Sequence, residues 1–213
     1  MKKRRLWFIM SAAVAFTTLI SLNSCRKDPL NDMTDEESRI YITNRDSTAN
    51  FSSYATFSIV DSVAVASNGT EAKRALTDYD KQLIAAVKSA MQARGYTLVD
   101  KAAKPQLAVN LTRIDDTYSS SYYDAGYWSG WGGYYDPFYW GYPGYGYYFP
   151  SYYTVYYKER AVSIDLVDLK NAQADKQLNA IWNAMFRGSG VWDSNNITNM
   201  VTAAFAQSAY LKK

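Results

Sequence analysis

The stretch AVSIDLVDLKNAQADKQLNAIWNAMF, Ala161 to Phe186, holds two runs of alternating character joined by a short polar connection. Val162, Ile164 and Leu166 fall on one side of the first run; Trp182, Ala184 and Phe186 fall on one side of the second. A period of two marks strands that bury one face. Parallel neighbours need a crossover of a dozen residues or more, and Asp168 to Lys176 cannot hold one, so the two strands form an antiparallel meander. The same alternation points Asp165 away from Ile164 and Leu166, which predicts a solvent-exposed carboxylate.

Working outward, Pro105 precedes a further strand in which Leu107, Val109 and Leu111 alternate with Ala108, Asn110 and Thr112. Upstream, YATFSIVDSV (Tyr54 to Val63) alternates in the same way, and IYIT (Ile40 to Thr43) is a first strand. Between Thr77 and Arg94, Leu83, Ile84, Val87, Ala90 and Met91 share one helical face, with Thr77 or Asp78 as cap and Gly95 just past the end. A last helix after Asn195 presents Ile197, Met200, Val201, Ala204 and Phe205. The order β-β-α-β-β-β-α predicts an α+β domain, an antiparallel sheet with two amphipathic helices on one face. Trp182, Phe186 and Phe205 belong to its core, whereas Lys73, Arg74, Lys81 and Lys88 read as a solvated helix flank.

The N-terminus carries a different signal. Lys2, Lys3, Arg4 and Arg5 precede an uncharged run from Leu6 to Leu22, the pattern of a secretion signal. Leu22, Asn23, Ser24 and Cys25 then resemble the lipobox of bacterial lipoproteins, which implies cleavage after residue 24 and a diacylglyceryl, palmitate-bearing Cys25 as membrane anchor. Arg26 is not the Asp that resembles an inner-membrane retention signal, so the outer membrane is the expected location. Residues 25–38 are polar and acidic and read as a tether, leaving 39–213 as a single domain. Loss of the four basic residues of the leader turns the formal +3 of the whole chain into −1, so nothing in its charge argues for nucleic acid. Cys25 is the only cysteine, and no disulfide can staple the mature chain.

One segment exceeds what such a domain requires. Between the central strands, an insertion over 118–152 and its flank to Tyr157 concentrate fifteen of the chain's 20 Tyr, three of its six Trp and seven of its 11 Gly, with no Lys or Arg. Gly and Pro at that density exclude a regular helix or a long central strand. The elements outside it already form two layers, so the fold is expected not to depend on it. Trp128, Trp131, Trp140, Tyr134, Tyr135 and Tyr139 are its candidate binding residues, since such rings join a large apolar area to a polar tip. A glycan, an envelope protein or the headgroup region of the membrane would suit them; a low-complexity insertion folded back over its own sheet is the bland alternative.

Catalytic chemistry is sparse. There is no histidine, and the sole cysteine reads as acylated, which removes His-dependent triads, Cys nucleophiles and His- or Cys-ligated zinc. No cofactor fingerprint or metal loop occurs, and no catalytic residue is assigned. A carboxylate-dependent hydrolase acting on envelope glycan is the alternative to a non-enzymatic binding or scaffolding protein; Asp115, Asp116, Asp165 and Asp168 are the acids to inspect.

NFSSYATF (Asn50 to Phe57), AVNLT after KPQL, SIDLVD after the insertion, Trp182 in a late strand and AFAQSAYL at the end resemble, in order and spacing, the DUF4136 family of bacterial lipoproteins. The resemblance spans Ile40 to Leu211. It implies an α+β fold in the cell envelope and brings no catalytic residues with it.

Overall fold

The computed structural model describes residues 33–67, 73–115, 120–121, 137–149, 156–157 and 160–213. Cys25 and the leader, Asp116, Trp128, Trp131, Tyr134 and Tyr135 lie outside them, as does the side chain of Asp115. The strands are β1 (Ile40–Arg45), β2 (Thr56–Ile59), β3 (Val63–Ser67), β4 (Lys73–Ala75), β5 (Thr97–Leu98), β6 (Leu107–Asp115), β7 (Ser120–Ser121), β8 (Gly146–Tyr148), β9 (Tyr156–Tyr157), β10 (Ala161–Asp168) and β11 (Gln177–Arg187). Two full helices, α2 (Asp78–Ala93) and α4 (Ile197–Gln207), accompany single turns α1 (Asp35–Ser38) and α3 (Ala172–Asp175). Ser189 ties α1 to the sheet's end, its Oγ donating to Asp35 Oδ1 (2.7 Å) and its N–H to Ser38 Oγ (3.3 Å).

Among the described residues the fold is α+β around an open sheet of nine strands, mostly antiparallel, whose main path runs β1-β11-β10-β6-β2-β5, with β3, β4 and β8 joined to it from the side. As their short connection requires, β10 and β11 pair antiparallel, with Ile164 opposite Ala184 and Leu166 opposite Trp182. The sheet is not antiparallel throughout. β2 runs parallel to both β5 and β6, and β3 parallel to β6, because α2 supplies the crossover that parallel neighbours need. YATFSIVDSV is two strands rather than one: a bend at Asp61–Ser62 lets β2 and β3 pair with successive halves of the long β6. Lys73 and Arg74 lie on β4, not on a helix flank.

On one face the helices cover Val162, Ile164, Leu166, Trp182 and their neighbours. The Trp182 ring lies 5.5 Å from that of Phe205 on α4, and its indole N–H donates to Ser208 Oγ at 2.9 Å. α2 starts at a capping box, with Thr77 Oγ1 accepting from Asp80 N and Asp80 Oδ2 accepting from Thr77 N at 2.7 Å. Arg113 of β6 reaches the same buried carboxylate, Nε to Oδ1 at 2.9 Å, fastening the helix start to the sheet. Thr77→Ala should therefore cost about 1 kcal/mol, the usual value of such a cap, read as a lower urea midpoint at unchanged slope.

β10 is buried along its whole length, so the other face of the sheet is covered too. The cover is the described part of the aromatic insertion. Trp140 and Phe149 are core residues, and β8 pairs in parallel with Gln177–Asn179 at the start of β11. Pro137–Phe149 thus packs against the domain, the arrangement of an insertion folded back over its own sheet.

Candidate functional site

Pro137–Trp140 forms one 3-10 turn, and Gly141 and Gly144 follow at φ +88° and +79°, a left-handed backbone that glycine adopts without strain. The double reversal brings the rings onto the sheet. Trp140 is 7% exposed and its Nε1–H donates to Asn110 Oδ1 at 3.2 Å. The Tyr142 hydroxyl donates to the Leu169 carbonyl at 2.9 Å, and Tyr147 stacks with Phe149 at 6.0 Å. Phe138 and Tyr148, by contrast, are 69% and 50% exposed.

Tyr139 stands between these groups. It meets Trp140 edge-on at 4.9 Å and 88°, and its hydroxyl accepts from Asp61 N–H at 3.3 Å. Half-buried, it lines a cleft of about 420 Å³ with Asp61, Lys88, Asp100 and Lys101. Lys101 Nζ lies 4.0 Å from its ring centroid and the Arg74 guanidinium 4.9 Å. Burial, more than any neighbouring charge, raises the pKa of its hydroxyl, so the phenol stays a neutral hydrogen-bonding group. The two acids of the cleft are engaged in their own turns, Asp61 Oδ1 accepting from Ser62 Oγ and Asp100 Oδ1 from Ala102 N, each at 2.8 Å. An aromatic edge flanked by cations suits a polar, hydroxyl-rich or anionic ligand.

Of the four acids singled out by sequence, the two whose side chains are described, Asp165 and Asp168, are each engaged in buried hydrogen bonds of their own. Asp168 is buried, accepting from the Tyr54 hydroxyl (2.8 Å) and from Asn171 N (3.1 Å). Asp165 is 2% exposed, contrary to its expected exposure. It accepts from Asn183 Nδ2 at 2.7 Å and Ser163 Oγ at 3.0 Å. Asn44, Asn183, Asp165 and Asn110 occupy one register row across β1, β11, β10 and β6, a polar stripe beneath the aromatic cover. Burial pushes the Asp165 carboxyl up to about 7, against smaller lowering by Asn183 and Ser163. Among the described residues, no cluster of three or more His, Cys, Asp or Glu is placed to hold a metal ion.

The family model of a domain of unknown function, DUF4136, matches residues 42–208. The chain belongs to the DUF4136 family. A crystal structure of a DUF4136 family protein from Bacteroides thetaiotaomicron VPI-5482 superposes with a TM-score of 0.70 at 27% identity, covering 82% of this chain and 98% of that one. The PelC dodecamer from Paraburkholderia phytofirmans gives a TM-score of 0.41 at 10% identity, over 82% of this chain and 99% of that one. A comparison with curated proteins gives no match.

Within this DUF4136 domain, the six aromatic residues named from sequence have different fates. Trp140 is a core residue, Tyr139 faces a cleft, and the other four lie outside the described residues. Of the lysines that complete the cleft, Lys88 read from sequence as part of a solvated helix flank and Lys101 carried no signal. Lys88 projects from a helix and Lys101 from a 3-10 turn, both far from the insertion in sequence.

Proposed function

We propose that this DUF4136 protein is anchored in the cell envelope, in the outer membrane, by a lipid on Cys25, and that it binds rather than catalyses. Its binding surface is the cleft beside Tyr139, and its partner is a glycan or an envelope protein. Support for the anchor comes from the leader and the Leu22–Cys25 pattern. The binding reading is carried by one observation: the cover is clamped to the sheet by Trp140 and Phe149 while Tyr139, next to Trp140, stays half-open beside Lys88 and Lys101. A ring held this way meets a ligand without first being ordered.

Two measurements test the reading. Cys25→Ala should abolish incorporation of a palmitate analogue, since no second thiol can accept the acyl group; continued labelling would place the anchor elsewhere. For the cleft, pull-down from envelopes with the native lipidated protein should lose a partner in the Tyr139→Leu/Lys101→Ala double variant. An aromatic hot spot carries about 2 kcal/mol, so retention should fall roughly thirty-fold. Retention equal to wild type, in a variant that melts as wild type does, would remove the cleft from the function.

A further inference from the structure

β1 closes one side of the sheet: it pairs with β11 and with no other described strand. Its six residues run in unbroken register, from Ile40 opposite Arg187 to Arg45 opposite Trp182, and the Asp46 N–H continues the pairing by donating to the Ile181 carbonyl at 2.9 Å. That bond sets the phase of the strand. Opposite residues of an antiparallel pair alternate between those that exchange both backbone bonds and those that exchange none. Ile40, Ile42 and Asn44 therefore turn their backbone groups to β11 as Asp46 does, and the N–H and C=O groups of Tyr41, Thr43 and Arg45 point away from the sheet. The registers of β6, β10 and β11 carry the bond from Val60 N–H to the Val109 carbonyl (3.1 Å) across the sheet to the same phase.

This outer edge is open. Trp182 to Phe186 on β11 are buried, whereas Tyr41 to Asn44 beside them are part-exposed and Ile40 is 43% exposed. Among the described residues, no group bonds the outward backbone of Tyr41, Thr43 or Arg45. Natural sheets protect such an edge with Pro, Lys, a bulge or a very short strand. β1, with the sequence IYITNR, has none of these, while the strand at the other end of the main path, β5, is two residues long. The one charge of β1, Arg45, is drawn over the Tyr210 ring at 4.1 Å and does not guard the edge.

We propose that β1 pairs antiparallel with β1 of a second copy of this chain, about a two-fold axis at Thr43, so that two sheets become one. The phase selects the axis, because outward groups meet outward groups only when odd-numbered residues face odd-numbered ones. An axis at Thr43 sets Thr43 opposite its own copy and Tyr41 opposite Arg45 of the second copy, which joins all three outward residues in bond-exchanging pairs. An axis at Ile42 opposes Arg45 to Arg39, two like charges, and one at Asn44 leaves Tyr41 facing Ser47 beyond the strand end. About Thr43 the edge is self-complementary, as an isologous contact requires. Each guanidinium meets a tyrosine, the kind of pair Arg45 already makes with Tyr210, and the two Arg45 positions stand four residues apart, about 13 Å.

Thr43→Pro separates this contact from the fold, since the N–H it removes points outward and the bonds from β1 to β11 remain. The intact chain in contrast-matched detergent is followed by analytical ultracentrifugation across the micromolar range. Wild type is expected to dimerise reversibly, and Thr43→Pro to raise the dissociation constant about tenfold or more, because each copy loses a bond, with the circular dichroism of wild type retained. A wild type that stays monomeric throughout, or a dimer indifferent to Thr43→Pro, overturns the proposal. If Thr43→Pro does not fold, Thr43→Cys decides. Its two thiols would flank the axis on Cα atoms about 5.5 Å apart, within disulfide reach, so mild oxidation should cross-link the dimer well above the background set by wild type and by Lys212→Cys. Cross-linking no greater than that background overturns the proposal.

Discussion

Asp165→Asn should make the protein more stable than wild type at pH 8 and leave the two nearly equal near pH 4. The carboxyl is buried beneath the aromatic cover, no described cation pairs with it, and burial holds it at about 7 instead of its ordinary 3.8. A group whose folded value is raised contributes stability that is fully present below the unfolded value and is lost as pH rises through the folded one. Wild-type stability should therefore decline between pH 4 and pH 7, by about 4 kcal/mol if the full difference is expressed. The amide is isosteric and carries no charge, so the variant should show a flat profile across that window. Urea unfolding at half-unit pH steps reads both curves. A variant less stable than wild type at pH 8 would show that the ionised carboxylate, with its bonds from Asn183 and Ser163, is what the fold requires.

Trp140→Ala should cost about 3 to 5 kcal/mol, the usual range for deleting a large buried ring. Two losses combine: the packing of the indole on the sheet, and the hydrogen bond that leaves Asn110 Oδ1 without its donor. Trp140→Phe separates them and should cost about 1 kcal/mol if the ring is the main contributor. Phe138→Ala, two residues away but largely exposed, should stay within about 0.5 kcal/mol of wild type. Chemical unfolding of the three variants checks the order. Equal, small effects at Trp140 and Phe138 would mean that the insertion lies on the sheet without contributing to it.

Local periodicity made much of this fold legible. The alternation in Ala161–Phe186 and Leu107–Leu111, and the three-and-four spacing in Thr77–Arg94, each follow from which side chains share a face, and tertiary contacts kept those faces. Periodicity says which face a residue occupies but not what lies on it. That is why Asp165 was expected in water: the polar row it shares with Asn110 and Asn183 resembles a solvated face until the insertion folds over it. The parallel joints of β2, β3 and β5 were hidden for another reason. They depend on where α2 returns the chain, a long-range choice that no window of residues records. In the insertion, Gly and Pro break every period, so adjacent Tyr139 and Trp140 looked alike although one lines a cleft and the other is core. A cavity at one end of the sheet was less visible still, because Ser38, Arg160 and Trp192, which line it, come from segments with no shared motif.

The placement of the described indoles gives the domain its own optical and magnetic reporters. Trp182 is wedged between the sheet and α4, Trp140 between the opposite face and its cover, and Trp192 stands at the wall of the end cavity. With 5-fluorotryptophan incorporated and each resonance assigned by a Trp→Phe change, fluorine spectra would watch three separate neighbourhoods in one sample. During a titration with denaturant, coincident loss of the Trp182 and Trp140 signals would show that the two layers let go together. An earlier loss at Trp140 would reveal a domain that sheds its cover while its helices still hold.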